Sequence, residues 1–274
     1  MRYLIHTFLL LIPFFTYSQN IYSGQVVDAK TGQELAYVNI GVVGGNIGTV
    51  SNSEGKFSLP LPSLIDREKI KISMVGYEAF SLPVKEFKEQ LRSNPTIKLQ
   101  AAIVELTEVV VVPKFNKTKT LGNKIATTRL RDGFDEDVLG REGGIVVKLK
   151  RKFRPAHVLR FRMYIAHSTY DTIKFRLNFY SLKDKLPGSK IVQKNIIVTS
   201  TIKEGAVEVD LEDYQIVVKD DFCVTIEWIE DFGNGNLLFP FRRLGARCIY
   251  RNTSQADWVR FPFMSPAMNV TIGY

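Results

Sequence analysis

The chain has 274 residues, of which 45% are hydrophobic and 24% are charged, which is typical of a folded globular protein of one or two domains and not of a disordered chain. The charge is unevenly shared, because residues 19–113 carry 9 Lys and Arg against 10 Asp and Glu, whereas residues 114–274 carry 27 against 18. This asymmetry predicts two domains with different surfaces.

The first segment is typical of a secretory signal peptide. Arg2 precedes an apolar run over residues 4–15, and Thr16 and Ser18 then place small residues at the two positions that a signal peptidase reads. We predict that residues 1–18 are removed by cleavage after Ser18 and that the protein is exported. The run is shorter than the roughly 20 residues of a membrane-spanning helix, and Pro13 interrupts it, so a membrane anchor is the less favoured interpretation. We predict no transmembrane segment after cleavage.

Short strands separated by turns follow, at intervals of about 8–12 residues, which is the spacing of a β-sandwich. One predicted helix covers residues 84–91, where Val84, Phe87 and Leu91 fall on one side. Gly32 lies in a predicted turn, where a glycine can take positive φ. The predicted strands have the sequences IYSGQVVD, AYVNIGVV, KFSLPL, KIKISMV, AFSLPV, TIKLQ and LTEVVVV.

A polar stretch over residues 51–55, with the sequence SNSEG, raises the question of a calcium loop. An EF-hand loop needs Gly at its sixth position and Glu at its twelfth, but counting from Ser51 these positions hold Lys56 and Pro62. The stretch instead predicts a tight turn that ends on a glycine with positive φ. Phe57 and Leu59 then point into the core.

Three spaced motifs carry a family resemblance: SGQVVDAKTGQELAYVNIGVVGGNIGTVSNSEGKFSL, KISMVGY and LTEVVVV. Residues 21–112 resemble the carboxypeptidase regulatory-like domain, which implies a prealbumin-like, seven-stranded Greek-key sandwich. Such domains also precede many TonB-dependent outer-membrane receptors, which implies an envelope protein of a Gram-negative bacterium of the Bacteroidetes type. The chain has no carboxypeptidase catalytic domain, and residues 114–274 are too few for a receptor barrel of about 22 strands.

Residues 113–123, PKFNKTKTLGN, contain few large apolar residues and predict the connection between the domains. Strand patterns then resume over residues 124–274. Their number and their polar outer faces predict a larger, jelly-roll-like antiparallel β-sandwich, so the whole chain is all-β. The likeness to carbohydrate-binding jelly rolls is one of fold only. The clearest of these strands are GIVVKLK, VLRFRMYIA, TIKFRLNFY, KIVQKNIIV, AVEVDL, FCVTIEWI, ARCIY, DWVRF and MNVTIGY.

Four basic residues form the first candidate binding surface of the second domain. Arg160 and Arg162 lie on the polar face of one strand, and Lys174 and Arg176 lie on the polar face of another. If these strands pair, the four cations face one anionic partner. An anionic glycan, lipopolysaccharide or an acidic envelope protein fits this surface, whereas export separates the chain from nucleic acid. The alternative is a solvated face balanced by acids of neighbouring strands.

The loop over residues 230–243 is the second candidate. Asn234 and Asn236 offer side-chain oxygens, and Phe239 and Phe241 are expected to form an apolar contact surface. The alternative interpretation is turn chemistry followed by a strand that folds back onto the core. Calcium is the ion that such oxygens would bind, but we predict no metal and no cofactor.

Aromatic residues of the second domain are candidates for a sugar-stacking platform: Tyr164, Tyr180, Trp228 and Trp258. By alternation Trp228 falls in line with Phe222, Val224 and Ile226, so it is predicted to lie in the core.

Little in the sequence points to catalysis. His157 and His167 are the histidines that follow the signal peptide, and neither an HExxH motif nor a G-x-S-x-G motif is present. Cys223 and Cys248 are the two cysteines, and an exported protein permits a disulfide between them, although two buried free thiols are equally compatible with the spacing.

The sequence therefore predicts an exported, non-catalytic cell-envelope protein of the periplasm or the outer-membrane surface. Its first sandwich is expected to be structural, and its basic second sandwich is expected to bind or dock to an anionic or glycan partner. One alternative is a glycan-binding accessory protein of polysaccharide uptake. Another is a hydrolase that uses a pair of carboxylates. The ligand and the oligomeric state stay open.

Overall fold

The computed structural model describes residues 20–102, 115, 117–125, 129–134, 138–243 and 248–274. These residues form an all-β protein, as the sequence predicts, and their strands fall into two β-rich units. The predicted signal peptide and the predicted strand LTEVVVV lie outside the described residues. Among the helices in the described ranges, none has the length and apolar character needed to cross a bilayer.

The first unit is a sandwich of two sheets, one with the strand order β4–β1–β7 and one with the order β3–β2–β5–β6. All pairs are antiparallel except β1 with β7, which is parallel. A short 3-10 helix lies at Ser63–Ile65. The elements are β1 (Ile21–Asp28), β2 (Asn39–Val42), β3 (Gly48–Val50), β4 (Lys56–Pro60), β5 (Lys69–Ser73), β6 (Phe80–Pro83), α1 (Val84–Ser93) and β7 (Thr96–Leu99).

The polar stretch that suggested a calcium loop is a turn before β4. The side chain of Asn52 accepts hydrogen bonds from the backbone N–H groups of Glu54 and Lys56, at 3.0 and 2.9 Å, and Gly55 has φ of 73°. Phe57 and Leu59 are buried on the inner face of β4, and the predicted turn is confirmed. The predicted helix is also confirmed, because its three apolar residues are buried against this core.

The second unit is a larger sandwich. Two 3-10 turns, Arg151–Phe153 and Glu212–Tyr214, connect its strands. The strands are β8 (Thr118–Gly122), β9 (Arg131–Phe134), β10 (Glu142–Val147), β11 (Ala156–Ile165), β12 (His167–Ser168), β13 (Ile173–Lys183), β14 (Leu186–Lys190), β15 (Ile196–Ser200), β16 (Gly205–Asp210), β17 (Ile216–Val218), β18 (Phe222–Trp228), β19 (Leu237–Arg243), β20 (Cys248–Arg251), β21 (Val259–Phe261), β22 (Met264–Pro266) and β23 (Met268–Gly273).

Two main sheets enclose the core of the second unit. The large sheet has the order β14–β13–β18–β10–β20–β21, with β15 also paired to β13, and the opposing sheet has the order β16–β11–β23–β8, with β17 also paired to β11. A third, small sheet joins β12, β19 and β22, with β9 on β19. Trp228 is buried in the core between the sheets, as its place in the alternation of β18 predicts.

The segment predicted as the connection between the domains contains a strand. Residues 118–122 form β8, which pairs with the last strand, β23. Thr120 and Leu121 are half-buried, and the other three residues of β8 are exposed, which explains why the apolar pattern is weak. The low hydrophobicity of this segment therefore reflects its position as an edge strand. The second unit begins at or before Thr118.

The two units are in direct contact. A turn over residues 252–257, between β20 and β21, inserts between them, and we call it the wedge turn. Its Thr253 and Ser254 are buried, and the carbonyl of Gln255 accepts a hydrogen bond of 3.0 Å from the N–H of Gly44 in the first unit. The outer face of the large sheet therefore lies against the first unit instead of water.

Candidate binding groove between the two units

The four predicted basic residues lie on two different sheets. Strand β11, with Arg160 and Arg162, pairs with β16, β17 and β23, whereas β13, with Lys174 and Arg176, pairs with β14, β15 and β18. Between the two strands the chain crosses from one sheet to the other through β12. The expectation of one four-cation surface is thereby corrected, because the strands that carry it do not pair.

Arg160 and Arg162 remain at the surface, where both face Glu208 of the adjacent strand β16. Such exposed pairs contribute little to stability. This half of the predicted surface corresponds to the solvated face with balancing acids that was the alternative interpretation.

Lys174 and Arg176 face the first unit. Lys174 forms an ion pair with Glu230, and its ammonium lies 3.2 Å from the hydroxyl of Tyr37. The ion pair and its hydrogen bond raise the pKa of Lys174. Arg176 has only 1% of its surface exposed, so it is part of the interface and cannot meet an outside partner.

Arg176 lies in a buried network that crosses the interface. Its guanidinium donates to the side-chain oxygen of Asn39 at 2.6 Å and to Glu227 at 3.2 Å, and it also donates to the carbonyl of Tyr37. Asn39 in turn donates to Glu227 and, at 3.0 Å, to Ser254. One arginine and one carboxylate of the second unit thus hold the amide of a first-unit strand between them.

A second carboxylate, that of Glu142, belongs to the same network as the carboxylate of Glu227. It forms a 2.6 Å ion pair with Arg251 and accepts hydrogen bonds from Tyr180 at 3.0 Å and Asn178 at 2.9 Å. Asn178 donates equally to Glu227 at 2.9 Å. Both carboxylates have no exposed surface, and charged hydrogen-bond partners compensate for the lost water.

The network shifts the protonation of its members. Burial would raise the pKa of Glu227, but nearby cations, first Arg176, lower it further than burial raises it. Burial, together with the charge of Glu142, raises the pKa of Tyr180 well above its usual value. Burial also lowers the pKa of Lys190 to about 8, so this lysine changes charge just above neutral pH.

A groove of about 390 Å³ opens above the network, between the two units. The first unit contributes Lys71 and Ser73 to the groove. The second unit contributes Lys190, Arg251 and, from the wedge turn, Gln255. Among the described residues that line the groove, three are cationic and none is acidic. Its size falls in the range of small-molecule sites. One of its three cations, Arg251, is already paired with Glu142.

Two aromatic residues form one wall of the groove. The rings of Tyr180 and Trp258 meet edge to face at 5.6 Å between centroids. The Arg251 guanidinium lies 4.9 Å from the centre of the Trp258 ring, and the Lys190 ammonium lies 5.9 Å from that of Tyr180. Trp258 is only partly buried, and part of its surface lines the groove. The groove therefore has an aromatic surface beside cations and hydrogen-bonding groups.

The loop over residues 230–243 differs from its predicted surface. Phe239 and Phe241 belong to β19 and are 3% and 7% exposed, so they pack in the core. This corrects the expected apolar contact surface and supports the strand alternative. Asn234 and Asn236 are exposed, and the backbone of Asn236 is tied to Thr169. Within the described ranges no group of three His, Cys, Asp or Glu side chains is placed to hold a metal.

The two cysteines are free thiols. Cys223 of β18 and Cys248 of β20 flank β10, but they pack in different clusters on opposite faces of the large sheet. Burial raises the pKa of both thiols to about 12, so they stay protonated.

The sequence predictions omitted most residues of the groove. Glu142, Asn178, Glu227 and Arg251 each occupy the non-core position of an alternating strand, so each is compatible with a solvated face. The available signal was the concentration of polar and charged side chains on one face of consecutive strands, since TIKFRLNFY and FCVTIEWI both carry them. That pattern does not reveal that another unit covers the face.

Comparison with known proteins identifies the first unit. Residues 22–111 belong to the CarboxypepD_reg-like domain family, which confirms the resemblance predicted for residues 21–112; this segment is less than half of the chain. No curated protein matches the chain.

Among solved structures, the VP2 subviral particle of infectious bursal disease virus is similar over 92% of this chain, with 8% sequence identity and a TM-score of 0.27. The match covers 62% of the viral chain. A TM-score this low supports no argument about fold or function.

Proposed function

We propose that this protein is an exported, non-catalytic protein of the Gram-negative cell envelope that binds an anionic glycan in the groove between its two units. In this proposal the CarboxypepD_reg-like domain supplies one wall and fixes the groove, and the second sandwich supplies most of the binding groups. The observation that carries the proposal is the partly exposed Trp258 in the same groove as Lys190 and Arg251, with no acid in the described lining.

The chemistry of the lining supports a sugar. The C–H faces of a pyranose pack against an aromatic ring such as that of Trp258, because both surfaces are apolar and flat. Sugar hydroxyls exchange hydrogen bonds with amides and hydroxyls, here Gln193, Gln255 and Ser73. Carboxylate, sulfate or phosphate groups on the sugar would pair with Lys190, as in acidic polysaccharides and lipopolysaccharide cores.

Export rests on the sequence of residues 1–18, with a basic start, an apolar run and small residues before the predicted cleavage point. Separating a culture into cytoplasm, periplasm, membranes and medium tests this part. Recovery of uncleaved protein in the cytoplasm would contradict it.

The buried state of the two carboxylates supports a binding role over the hydrolase alternative. Glu142 and Glu227 lie close together, but neither has exposed surface and each is paired with an arginine. A glycosidase needs both carboxyls to reach the scissile bond. Using them would require breaking the contact between the units.

Titration of the mature chain with an oligogalacturonate, and with its methyl ester as the uncharged match, tests the groove. We expect saturable binding of the acid form only. Lys190→Met should weaken it about tenfold or more, since a hydrogen bond to a charged group contributes roughly 1.5–3 kcal/mol. Trp258→Ala should also weaken it, because it removes the aromatic surface on which the sugar packs. Arg160→Met, on the opposite sheet, is the matched control and should bind as the native protein does.

The pH dependence gives an independent measurement. Because the pKa of Lys190 is about 8, its positive charge is lost as the pH rises through that value, and affinity for the acid should fall between about pH 7 and about pH 9. Lys190→Arg should remove this fall. Equal binding by Lys190→Met, Trp258→Ala and the native protein would overturn the groove as the site.

A further inference from the structure

A second cavity, of about 340 Å³, lies inside the second unit and is separate from the groove. It is bounded by the inner face of the large sheet on one side and by the small sheet of β19, β22 and β9 on the other. Asp132 and Asn252, both exposed, mark where it reaches the surface. The lining is mainly apolar, although Arg141 and Glu142 also contribute to it. The apolar lining residues include Phe134, Ile226, Phe239, Phe241, Met264 and Met268.

The cavity exists because one side chain is missing from a row of the large sheet. Gly143 of β10 pairs with Ile226 on one side and with Tyr250 on the other, and Tyr250 pairs with Val259. Paired residues of antiparallel strands lie on one face, and Ile226 shows that this face is the inner one. Among the described residues, a Cβ at Gly143 would meet no atom closer than 3.9 Å, so the glycine leaves open space between them.

The apolar lining continues from the cavity onto the surface. Tyr250 and Phe261 line the cavity and are 36% and 39% exposed, and Val259 lies beside them at 41%. Phe263 is 62% exposed and contacts Phe261 edge to face, with centroids 6.2 Å apart. The opposing sheet therefore does not cover the inner face at β21, and a long apolar ligand would stay in contact after leaving the cavity.

We propose that this cavity binds a single aliphatic acyl chain, with the chain end against Ile226 and Met268 and its outer part along Tyr250, Phe261 and Phe263. The apolar surface formed by Tyr250, Phe261 and Phe263 continues from the cavity and favours an extended chain. A compact ring would fill the cavity but would leave this surface uncovered. Met264 and Met268 can adapt to chains of different shape, because methionine side chains are flexible and polarizable. Cys248, also in the lining, stays a neutral thiol.

The test uses the mature chain and the fluorescent fatty acid cis-parinaric acid, displaced by dodecanoate. Gly143→Leu should fill the cavity and weaken binding about tenfold or more, because even one methylene too many in an apolar site changes affinity by roughly 10–200-fold. Phe261→Glu places a charge at the opening and should also weaken binding without disturbing the interior. Leu64→Glu, at the most exposed apolar side chain of the first unit, is the control and should have no effect.

Circular dichroism and the melting temperature establish that each variant is folded. Saturable binding that is lost in folded Gly143→Leu or folded Phe261→Glu supports the proposal. Absence of binding by the native chain, or native affinity in both variants, overturns it. Co-sedimentation with phosphatidylcholine vesicles distinguishes two sources of the acyl chain. A protein that binds the fatty acid but does not sediment with vesicles takes up a free chain, whereas a protein that does both takes its chain from a bilayer.

Discussion

At the scale of single residues, the interface between the units contains charged side chains that are fully buried. Glu227 has no exposed surface, and its oxygens receive hydrogen bonds from Arg176, Asn178 and Asn39. A buried ion pair contributes little when intact, because desolvation offsets the attraction, but an unpaired buried charge is strongly destabilising. The arrangement therefore selects one geometry for the two units instead of adding much net stability.

A double-mutant cycle on this pair tests that statement. Arg176→Met leaves the Glu227 carboxylate without its main partner and should lower the free energy of unfolding by about 3–5 kcal/mol. The double variant Arg176→Met with Glu227→Gln should lose clearly less than the sum of the single losses, because no uncompensated charge remains. Urea denaturation followed by circular dichroism measures both. Strictly additive losses would show that the two side chains act independently.

At the scale of elements, the wedge turn and β2 determine how the units meet. A Cβ on Gly41 of β2 would lie 2.1 Å from the carbonyl oxygen of Ser254, and one on Gly48 of β3 would lie 2.4 Å from the same atom. Glycine at these two positions is what allows the backbone of one unit to approach that of the other. The contact between the units therefore depends on glycine in β2 and β3 as well as on the wedge turn.

Gly41→Ala should therefore force the wedge turn away and destabilise the protein by about 1–3 kcal/mol, the usual range for overpacking. The emission of Trp258, which directly follows the turn, should shift to longer wavelength as the groove opens. Gly143→Ala is the matched control, since it also adds one methyl group within a strand but meets only ordinary contacts. Equal stability of the two variants would contradict the close approach at Gly41.

At the scale of the whole molecule, the two cores are joined by polar contacts. Each unit has its own hydrophobic cluster, and the polar contacts between them include those of Asn39 with Arg176 and Glu227, of Tyr37 with Lys174, and of the wedge turn. We expect one unfolding transition near neutral pH, because the intact network couples the units. Since protonation of Glu227 weakens that network, the coupling should depend on pH.

The expected result is that the single transition separates into two in acid. The pKa of Glu227 is lower in the folded than in the unfolded chain, so its stabilising contribution is complete above the ordinary value of 4.5 and is lost as the pH falls below it. Calorimetry across this window measures the transitions. Glu227→Gln should be less stable near neutrality and should lose less stability on acidification. An unchanged acid response in this variant would exclude Glu227 as the titrating group.

Alternation along strands predicts local burial well. It places Trp228 in the core, Phe57 and Leu59 under the first sheet and Arg176 on the face opposite the core. It does not tell which strands are neighbours, and Arg160 was expected near Arg176 because their strands follow each other in the chain. The crossing through β12 places them on different sheets. Pairing depends on contacts distant in sequence, which periodicity does not contain.

The sequence by itself determined the all-β class and the turns and helix of the first unit, because these follow from side-chain period and from glycines at fixed turn positions. Its spaced motifs also carried the resemblance to the CarboxypepD_reg-like domain. Only the tertiary structure decided that the polar face of the large sheet is an interface, since burial of Glu142 and Glu227 results from a second unit covering strands that alone would be solvated. It likewise decided where the empty spaces lie. The groove needs both units, and the cavity at Gly143 needs sheets that do not fully cover each other.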